Sequence, residues 1–533
     1  MDGRRAGRRI GGQRVNLLDH GGAELATLLD RRETSSEELV RALHVRADEI
    51  APVLNAFTRE FREEALLEAR RCDVERARDE LRGPLHGLPL TLKDNIDVVG
   101  APSTVGLRAD LSRVVTEDAV VVAAARRAGA IVLGKSNVPQ GMLSMECDNA
   151  IYGATKNPWS AAHVTGGSSS GEGALIASGA SVMGLGTDLG GSIRFPAAFC
   201  GVVGFKPTQD VWSNQGVQTA IRGQELVRAQ VGPMARRSDD IALLLRALPP
   251  SAQHAADWRV PPMALAPLPE RRLRIGFVDD DGVLPANPAM RRAVREAADH
   301  LRAEGMELVP CEPWCTRELT ALYLAAVSSD GLGTLRARFG DELPARSLQL
   351  MWRLGTLPRA ARATAARLLG ALGEERIARV VGETGERSVT GFWALAAQRE
   401  ELRVRFEASF RAAGIDALLS PASATPAVPR GMEHDASLSF SYLGIYNLLG
   451  LPAGVVPVTT VQPRDTELPP ARDRVEKRLA AIAAASTGLP VAVQVAGPRF
   501  TDAAVVGLMQ RIERAARSTG TYPHTPRWPM QPL

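Results

Sequence analysis

Two clusters of glycine and serine carry the residues most suited to chemistry in this chain. Residues 166–173 read Gly-Gly-Ser-Ser-Ser-Gly-Glu-Gly, and residues 186–192 read Gly-Thr-Asp-Leu-Gly-Gly-Ser. Glycine costs backbone entropy wherever its freedom is not used, so ordinary helices and core segments avoid this density. A serine hydroxyl can attack a carbonyl, and bare backbone N–H groups can hold the resulting oxyanion. The clusters therefore indicate carbonyl attack, with Ser168, Ser192 and Ser169 as candidate nucleophiles.

Three schemes could use these clusters. Residues 167–171 match the G-x-S-x-G elbow of Ser-His-Asp hydrolases around Ser169, but the scheme also needs a downstream Asp and His, and no histidine has a distinctive setting. Phosphate binding is disfavoured because neither G-x4-G-K-[ST] nor G-x-G-x-x-G occurs here. The third scheme uses Lys93, at the end of the apolar segment 88–92, as a base. Lysine is seldom buried without a partner, so this segment alone favours a solvated strand end.

The elements that must position these residues alternate between strand and helix. Strands are predicted at 88–92, 130–133 and 182–185, and helices at 119–128 and 174–180. Further predicted elements are helices within 17–79, a strand at 273–278, a helix at 289–304, mainly helices over 316–413, and strands at 416–420, 453–459 and 490–495. This rhythm predicts an α/β sheet with helices on its faces.

Composition and charge narrow the class of protein. The 533 residues are 45% hydrophobic and 23% charged, which is ordinary for a soluble globular protein. The net charge of +4 is too small to argue for nucleic-acid binding. Cys311 and Cys315 form C-x3-C without a second pair at zinc-finger spacing, so buried or incidental thiols are expected. The basic N-terminus lacks an apolar signal region, and there is no run of 18 apolar residues, so a cytoplasmic protein is expected.

Taken together, these residues resemble the amidase signature family. The strong match covers about residues 84–240, and a weaker one runs through 415–515. The matching segments are His86–Asn95, Gly134–Gln140, Asn157–Trp159, Gly166–Ala174, Gly186–Pro196, Phe199–Gly201, Gly204–Thr208, Gly232–Arg236, Leu451–Val461 and Gly488–Val495. The resemblance implies the amidase signature fold, in which a twisted mixed β-sheet is sandwiched between α-helices.

The resemblance also implies a Ser–cis-Ser–Lys triad. Carried over, Ser192 is the nucleophile, Ser168 is the bridging serine after a cis peptide to Gly167, and Lys93 is the base. Lys93 must be neutral to act, and only about 0.04% of a lysine with an ordinary pKa is neutral at pH 7. The fold is therefore expected to lower this pKa by burial. Ser169 and Ser170 are expected to be hydrogen-bonding loop residues.

Further site residues follow from the same resemblance. The backbone N–H groups of Leu189, Gly190, Gly191 and Ser192 are expected to form the oxyanion hole. Met142 and Ser144 match a substrate-facing loop, and Asp188 and Arg194 are expected to form a supporting pair. No metal or organic cofactor is expected, because side chains and backbone fill every role.

Within the family, the resemblance is greatest to the branch that hydrolyses fatty acid amides. Residues 345–372 resemble a membrane-facing cap of that branch. They contain five arginines and no acid, together with leucines and Trp352, which suits an interfacial helix pair or an ordinary surface helix packed on the core. The alternatives are a general aliphatic or aryl amidase acting on small soluble amides, and the A subunit of a tRNA-dependent amidotransferase.

The sequence and the resemblance together predict the domains, the partners and the location of the protein. Residues 1–15 are expected to be disordered, and 16–530 to form a single amidase signature domain with a helical insertion at 316–413. The expected partners are an amide substrate that is lipid-like, a membrane surface contacted through 345–372, and a second copy of the chain in a homodimer, with no nucleic acid. The expected location is cytoplasmic with membrane association.

Overall fold

Helices and strands alternate along most of the chain in the computed structural model, which describes residues 8–10 and 13–524. The strands are β1 (Arg8–Ile10), β2 (Gln13–Val15), β3 (Phe57–Glu60), β4 (Pro89–Lys93), β5 (Ile131–Ser136), β6 (Met183–Asp188), β7 (Val203–Lys206), β8 (Gln230–Ala235), β9 (Arg274–Phe277), β10 (Glu307–Pro310), β11 (Ala417–Pro421), β12 (Ala453–Thr460) and β13 (Pro490–Ala496). The helices are α1 (Gly22–Asp30), α2 (Ser36–Leu54), α3 (Arg62–Ala77), α4 (Val120–Arg127), α5 (Ser170–Ser178), α6 (Arg194–Cys200), α7 (Ser238–Ala247), α8 (Ser251–His254), α9 (Pro288–Ala303), α10 (Thr316–Val327), α11 (Gly333–Phe339), α12 (Gln349–Thr356), α13 (Arg359–Ala371), α14 (Glu375–Glu383), α15 (Val389–Ala413), α16 (Ser441–Leu449), α17 (Arg474–Ala484) and α18 (Asp502–Arg517).

In the described part of the chain, eleven strands form one mixed sheet in the order β10-β9-β11-β13-β12-β7-β8-β6-β4-β5-β3. Strands β5, β4 and β6 run parallel, whereas β11, β13, β12, β7, β8 and β6 pair antiparallel in turn. Helices α5 and α6 pack on the central strands, and α7, α9 and α18 pack on β8 and on β11 to β13. The predicted α/β class with a mixed sheet and packed helices is confirmed.

The central parallel strands bring the two chemical segments together. All residues of β4 and β6 are buried, and Thr91 and Leu92 pair with Gly184 and Leu185. Because neighbouring parallel strands end at the same edge of a sheet, Lys93 and the end of β6 lie side by side. The sheet register therefore places a lysine against the second glycine cluster.

Two predicted boundaries were wrong. The helical pattern over 17–79 is interrupted by β3, a short strand that pairs antiparallel with β5 at the edge of the sheet. Helix α5 begins at Ser170 and not at Ala174, so Gly171 and Gly173 are helical. The reason is packing: a Cβ on Gly171 would lie 2.4 Å from the Asn137 nitrogen, so only glycine fits this close approach.

The region predicted to be disordered, 1–15, lies outside the described residues except for the β1–β2 pair. Residues 316–413 fold as α10 to α15, and the domain boundaries stay predictions. Every helix in the described ranges is too short or too polar to cross a bilayer.

Candidate active site

Lys93 is the last residue of β4, and its amine is buried at the centre of the site. The Nζ atom donates to Ser168 Oγ at 2.8 Å, to Thr187 Oγ1 at 2.8 Å and to the Thr187 carbonyl at 3.3 Å. Burial lowers the pKa of Lys93 to about 7, although the charges of Asp188 and Glu172 raise it. A lysine with this pKa is neutral in about half of the molecules at pH 7, so it can accept a proton.

Ser168 lies in the turn that precedes α5, and the Gly167–Ser168 peptide is cis, as the resemblance implied. A Cβ on Gly167 would lie 2.0 Å from the Ser144 carbonyl oxygen. Only glycine at position 167 therefore lets this turn approach the segment around Ser144. The close contact fixes the backbone that aims Ser168 at Lys93.

Ser192 lies between the end of β6 and the start of α6, and its side chain is partly exposed. Its carbonyl accepts a hydrogen bond from the Ser169 N–H at 2.9 Å, which ties the two glycine clusters together. Ser168 and Ser192 line one cavity. Between these two described residues no side-chain hydrogen bond is formed, and catalytic hydrogen bonds often tighten only when substrate binds. The site thus joins a lysine, a bridging serine and an accessible serine.

Asp188 and Arg194 form a fully buried ion pair behind Ser192. The guanidinium donates to both carboxylate oxygens at 2.9 Å. It also donates to Asn447 Oδ1 at 2.6 Å and to Gln494 Oε1 at 2.8 Å. Burial alone would raise the pKa of Asp188, but the Arg194 charge and hydrogen bonds outweigh it and hold that pKa below its usual range. The predicted supporting pair is therefore present, and it fixes both ends of the turn that carries Ser192.

The backbone of that turn lies beside the cavity, which Leu189 and Ser192 line. The Gly191 N–H donates to Asp188 Oδ1 at 2.7 Å, whereas the N–H groups of Leu189, Gly190 and Ser192 have no acceptor within the described residues. Gly191 has a φ of +118°, a conformation that favours glycine. Of the four predicted oxyanion donors, three are free and Gly191 is engaged by the supporting carboxylate.

Tyr323 on α10 closes this turn from the other side. Its hydroxyl donates to the Leu189 carbonyl at 3.4 Å. A Cβ on Gly190 would lie 2.0 Å from the Tyr323 hydroxyl oxygen, so the ring packs directly on the glycine backbone. Tyr323 therefore holds the candidate oxyanion turn in place.

The cavity at Ser192 is small, with a volume of about 20 Å³, which is room for about one water molecule. Met142 lines it as predicted, together with Leu143, whereas Ser144 contributes only its carbonyl contact with Gly167. The cavity wall continues into an apolar cluster, which we call the rim cluster. The rim cluster consists of Val105, Leu107, Ala220, Ile221, Leu332, Leu335, Phe339 and Leu348, with Met142, Leu143, Leu189, Met351 and Trp352 packed against it.

Part of residues 345–372 packs inward against the rim cluster. The ring of Trp352 is half-buried and packs at 5.0 Å from the ring of Phe339. Arg362 is 2% exposed, so it is not available to a surface. Leu368 and Leu372 do project outward, with 62% and 75% of their surface exposed.

A second buried carboxyl lies near the lysine. Glu172 Oε2 accepts from Thr91 Oγ1 at 2.7 Å, and its other oxygen has no partner in the described structure. Burial raises the pKa of Glu172 to about 7. The charge of Glu172 raises the pKa of Lys93, so the ionisation of Glu172 affects the amine.

Several residues of this site were missed from the sequence. Thr187 lies inside the second glycine cluster and could have been found from its place in that motif. Tyr323, Asn447 and Gln494 lie far from the clusters along the chain and carry no local signal. Only the folded chain brings them to the turn at Ser192.

Comparisons with known proteins agree with this geometry. The family model Amidase matches residues 38–506. The chain is 36% identical over 452 residues to fatty-acid amide hydrolase 1 of Sus scrofa, covering 83% of this chain and 78% of that protein. It is 32% identical over 465 residues to fatty acid amide hydrolase 1 of Caenorhabditis elegans, covering 83% and 80%. A solved structure of a fatty acid amide hydrolase superposes with a TM-score of 0.80 at 25% identity, covering 94% of this chain and 85% of that one.

Proposed function

The chain belongs to the amidase family, and from that premise we propose that it hydrolyses amides of long-chain carboxylic acids through Ser192, Ser168 and Lys93. Amide hydrolysis follows from the family, while the acyl chain and the roles of the residues are the proposal. The observation that carries the proposal is the hydrogen bond of 2.8 Å between Lys93 Nζ and Ser168 Oγ in a site where burial lowers the lysine pKa to about 7.

The proton moves through the bridging serine. Neutral Lys93 accepts the proton of Ser168, and Ser168 accepts the proton of Ser192 as the Ser192 oxygen attacks the amide carbon. The proton then returns along the same path to the leaving nitrogen, which departs as an amine or ammonia. Water attacks the acyl-enzyme by the reverse relay and releases the acid.

The negative oxygen of the tetrahedral intermediate needs donors that are already in place. We assign it to the N–H groups of Leu189, Gly190 and Ser192, which have no protein acceptor in the described chain. Gly191 contributes the positive φ that turns the chain, and its own N–H stays with Asp188. The buried Arg194 pair keeps this turn rigid during the reaction.

A long acyl chain is supported by the rim cluster. Met142, Leu143 and Leu189 belong both to the cavity wall and to the rim cluster, so an acyl chain leaving Ser192 meets apolar side chains. Since the cavity itself holds only about one water molecule, the chain must displace rim side chains as it binds. Each methylene that becomes buried contributes about 0.8 kcal/mol.

The small cavity also favours a second candidate, an amidase of short soluble amides. A volume of about 20 Å³ without rearrangement suits a small acyl group better than a long one. The two candidates share the triad and differ only in the acyl group.

We further propose that the protein associates with a membrane surface and with a second copy of itself. Outward-facing leucines on and after α13, together with the exposed Arg359 and Arg367 of the same helix, support contact with an anionic membrane. The same exposed apolar residues would be covered in a homodimer.

A labelling experiment tests the catalytic roles. A fluorophosphonate should label the wild type and the Ser169→Ala variant, and fail to label Ser192→Ala. Labelling of Ser192→Ala at the wild-type rate would overturn the nucleophile. Circular dichroism of each variant checks that it folds.

A panel of primary amides with acyl chains of 2 to 18 carbons tests the substrate. We expect kcat/KM to rise by up to about fourfold for each methylene buried in the rim cluster. A maximum at two to four carbons would reject the long-chain substrate and support the short-amide candidate.

A further inference from the structure

A cleft outside the active site is much larger than the cavity at Ser192. A cleft of about 340 Å³ is bounded by Val283 after β9, by α10, by α14 and by the start of α17. The active-site cavity is far smaller, at about 20 Å³. A volume of 340 Å³ corresponds to roughly ten water molecules in the liquid, so the cleft holds a ligand of about that many non-hydrogen atoms.

Cationic side chains surround the opening of this cleft. Four arginines line it, against two acids, Glu375 and Asp473. Two of the arginines are paired with carboxylates: Arg376 with Asp473 and Glu476, and Arg472 with Glu476. The charge that remains on the lining is therefore positive.

The other two arginines have no carboxylate partner in the described structure. The Arg317 Nε donates to the Gly282 carbonyl at 2.9 Å, and its terminal nitrogens have no hydrogen-bond or ion-pair partner within the described residues. Arg379 makes neither a hydrogen bond nor an ion pair within the described residues. Two open guanidinium groups on neighbouring helices can bind one carboxylate from both sides.

Thr320 supplies an independent sign of a missing ligand. It lines the cleft, is 1% exposed, and its hydroxyl has no hydrogen-bond partner in the described structure. A buried hydroxyl without a partner costs about 1–3 kcal/mol. A ligand oxygen in the cleft would satisfy this donor.

The inner wall of the cleft is apolar. Val283, Leu324, Val380 and Leu438 line it beside the polar groups. A purely inorganic anion would leave these side chains without contacts, whereas a short hydrocarbon chain would cover them.

We propose that this cleft is a second binding site that takes a medium-chain carboxylate, with its anionic head on Arg317, Arg379 and Thr320 and its chain on the apolar wall. The same class of compound is released by hydrolysis of the proposed substrates. Binding in the cleft does not require that activity, so the two proposals fail independently.

The test measures octanoate binding by calorimetry on full-length protein whose Ser192 has been blocked by a fluorophosphonate. The block removes the active site as a competing location, and failure of labelling is seen separately by mass spectrometry. We expect Arg317→Gln/Arg379→Gln to weaken octanoate binding at least tenfold, and Thr320→Val to weaken it at least threefold. The matched control, Arg353→Gln/Arg367→Gln, alters two arginines outside the cleft and should bind octanoate as the wild type does.

Two probes separate the head group from the chain. Octanol, which lacks the charge, and inorganic phosphate, which lacks the chain, should both bind at least tenfold more weakly than octanoate. The proposal is overturned if either binds as tightly, or if Arg317→Gln/Arg379→Gln keeps the wild-type affinity. Thermal unfolding of that variant confirms that it is folded, since both arginines lie at the surface.

Discussion

Lys93 is the last residue of β4, and Thr187 is the last but one of the parallel strand β6. The Lys93 amine donates to the Thr187 hydroxyl at 2.8 Å. The amine also donates to Ser168 Oγ at the same distance. The ammonium form thus keeps fixed acceptors even though the side chain is buried. Burial lowers the pKa of Lys93, the charges of Asp188 and Glu172 raise it, and the balance leaves it at about 7.

The first prediction concerns the pH dependence of catalysis. Because Lys93 acts as a base only when neutral, kcat/KM should be low below pH 6 and rise through an apparent pKa near 7. Lys93→Met should lower kcat/KM by about 10²–10⁴-fold and abolish this rise. Hydrolysis rates measured from pH 5 to 9 test both statements.

The matched control for that prediction is another buried lysine. Lys135 donates to the Pro102 carbonyl and to Ser103 and does not line the cavity. Lys135→Met should keep the rise near pH 7. If the profile of Lys93→Met still rose there, another group would be the base.

The second prediction uses the buried carboxyl of Glu172. Burial raises its pKa from 4.5 to about 7, so folding favours the protonated form. This contribution to stability is complete below about pH 4.5 and is lost as the pH rises through 7. Glu172→Gln cannot ionise, so between pH 5 and 8 the wild type should lose up to about 3 kcal/mol relative to the variant. Melting temperatures at both pH values measure this.

The control is Glu476, a carboxyl whose pKa the fold lowers where that of Glu172 is raised. Hydrogen bonds from Arg472 lower the pKa of Glu476 to about 2, so its contribution is present above about pH 4.5 and is constant between pH 5 and 8. Glu476→Gln should therefore differ from the wild type by the same amount at both pH values. An equally constant difference for Glu172→Gln would contradict the prediction.

The third prediction concerns the contact between Gly190 and Tyr323. A Cβ at position 190 would lie 2.0 Å from the tyrosine hydroxyl oxygen and 2.8 Å from the carbon that bears it. Gly190→Ala should push the turn out of position and lower kcat by about 10²–10³-fold, the loss typical of a misplaced oxyanion donor. Steady-state kinetics should show the loss in kcat more than in KM.

A double variant separates this steric effect from a general loss of structure. Tyr323→Phe removes the closest atom, so Gly190→Ala/Tyr323→Phe should recover part of the lost kcat. Tyr323→Phe alone should cost little, since its hydrogen bond to the Leu189 carbonyl is long at 3.4 Å. Absence of any recovery would show that the ring does not set the position of the turn.

The local parts of the site were predictable, whereas its distant supports were not. Lys93, Ser168 and Ser192 lie in dense motifs whose residue types already indicate carbonyl chemistry. Gln494 reaches Arg194 from β13, a distant strand of the same sheet, and Asn447 reaches it from α16, so only the tertiary fold brings them together. No spacing rule connects positions that are more than 250 residues apart.

Boundaries failed where tertiary packing outweighs intrinsic preference. Gly171 and Gly173 disfavour a helix by about 1 kcal/mol each, yet α5 begins before them. The close approach of Asn137 and Pro196 explains why glycine is retained there. Similarly, β3 has only four residues between two helices, so its strand pattern is too short to detect.

The fourth prediction concerns membrane contact, which depends on exposed leucines of the predicted cap. Leu368 and Leu372 expose 62% and 75% of their surface, and Leu67 on α3 exposes 70%. The wild type should sediment with vesicles of phosphatidylcholine and phosphatidylserine. Leu368→Ser/Leu372→Ser should reduce the bound fraction at least tenfold, because each leucine contributes about 1.5–3 kcal/mol when buried.

Leu67→Ser is the matched control and should bind vesicles as the wild type does. An equal loss for Leu67→Ser, or no sedimentation of the wild type, would reject the membrane contact. If light scattering then showed a dimer that Leu368→Ser/Leu372→Ser dissociates, the leucines would pair two chains and would not enter the bilayer.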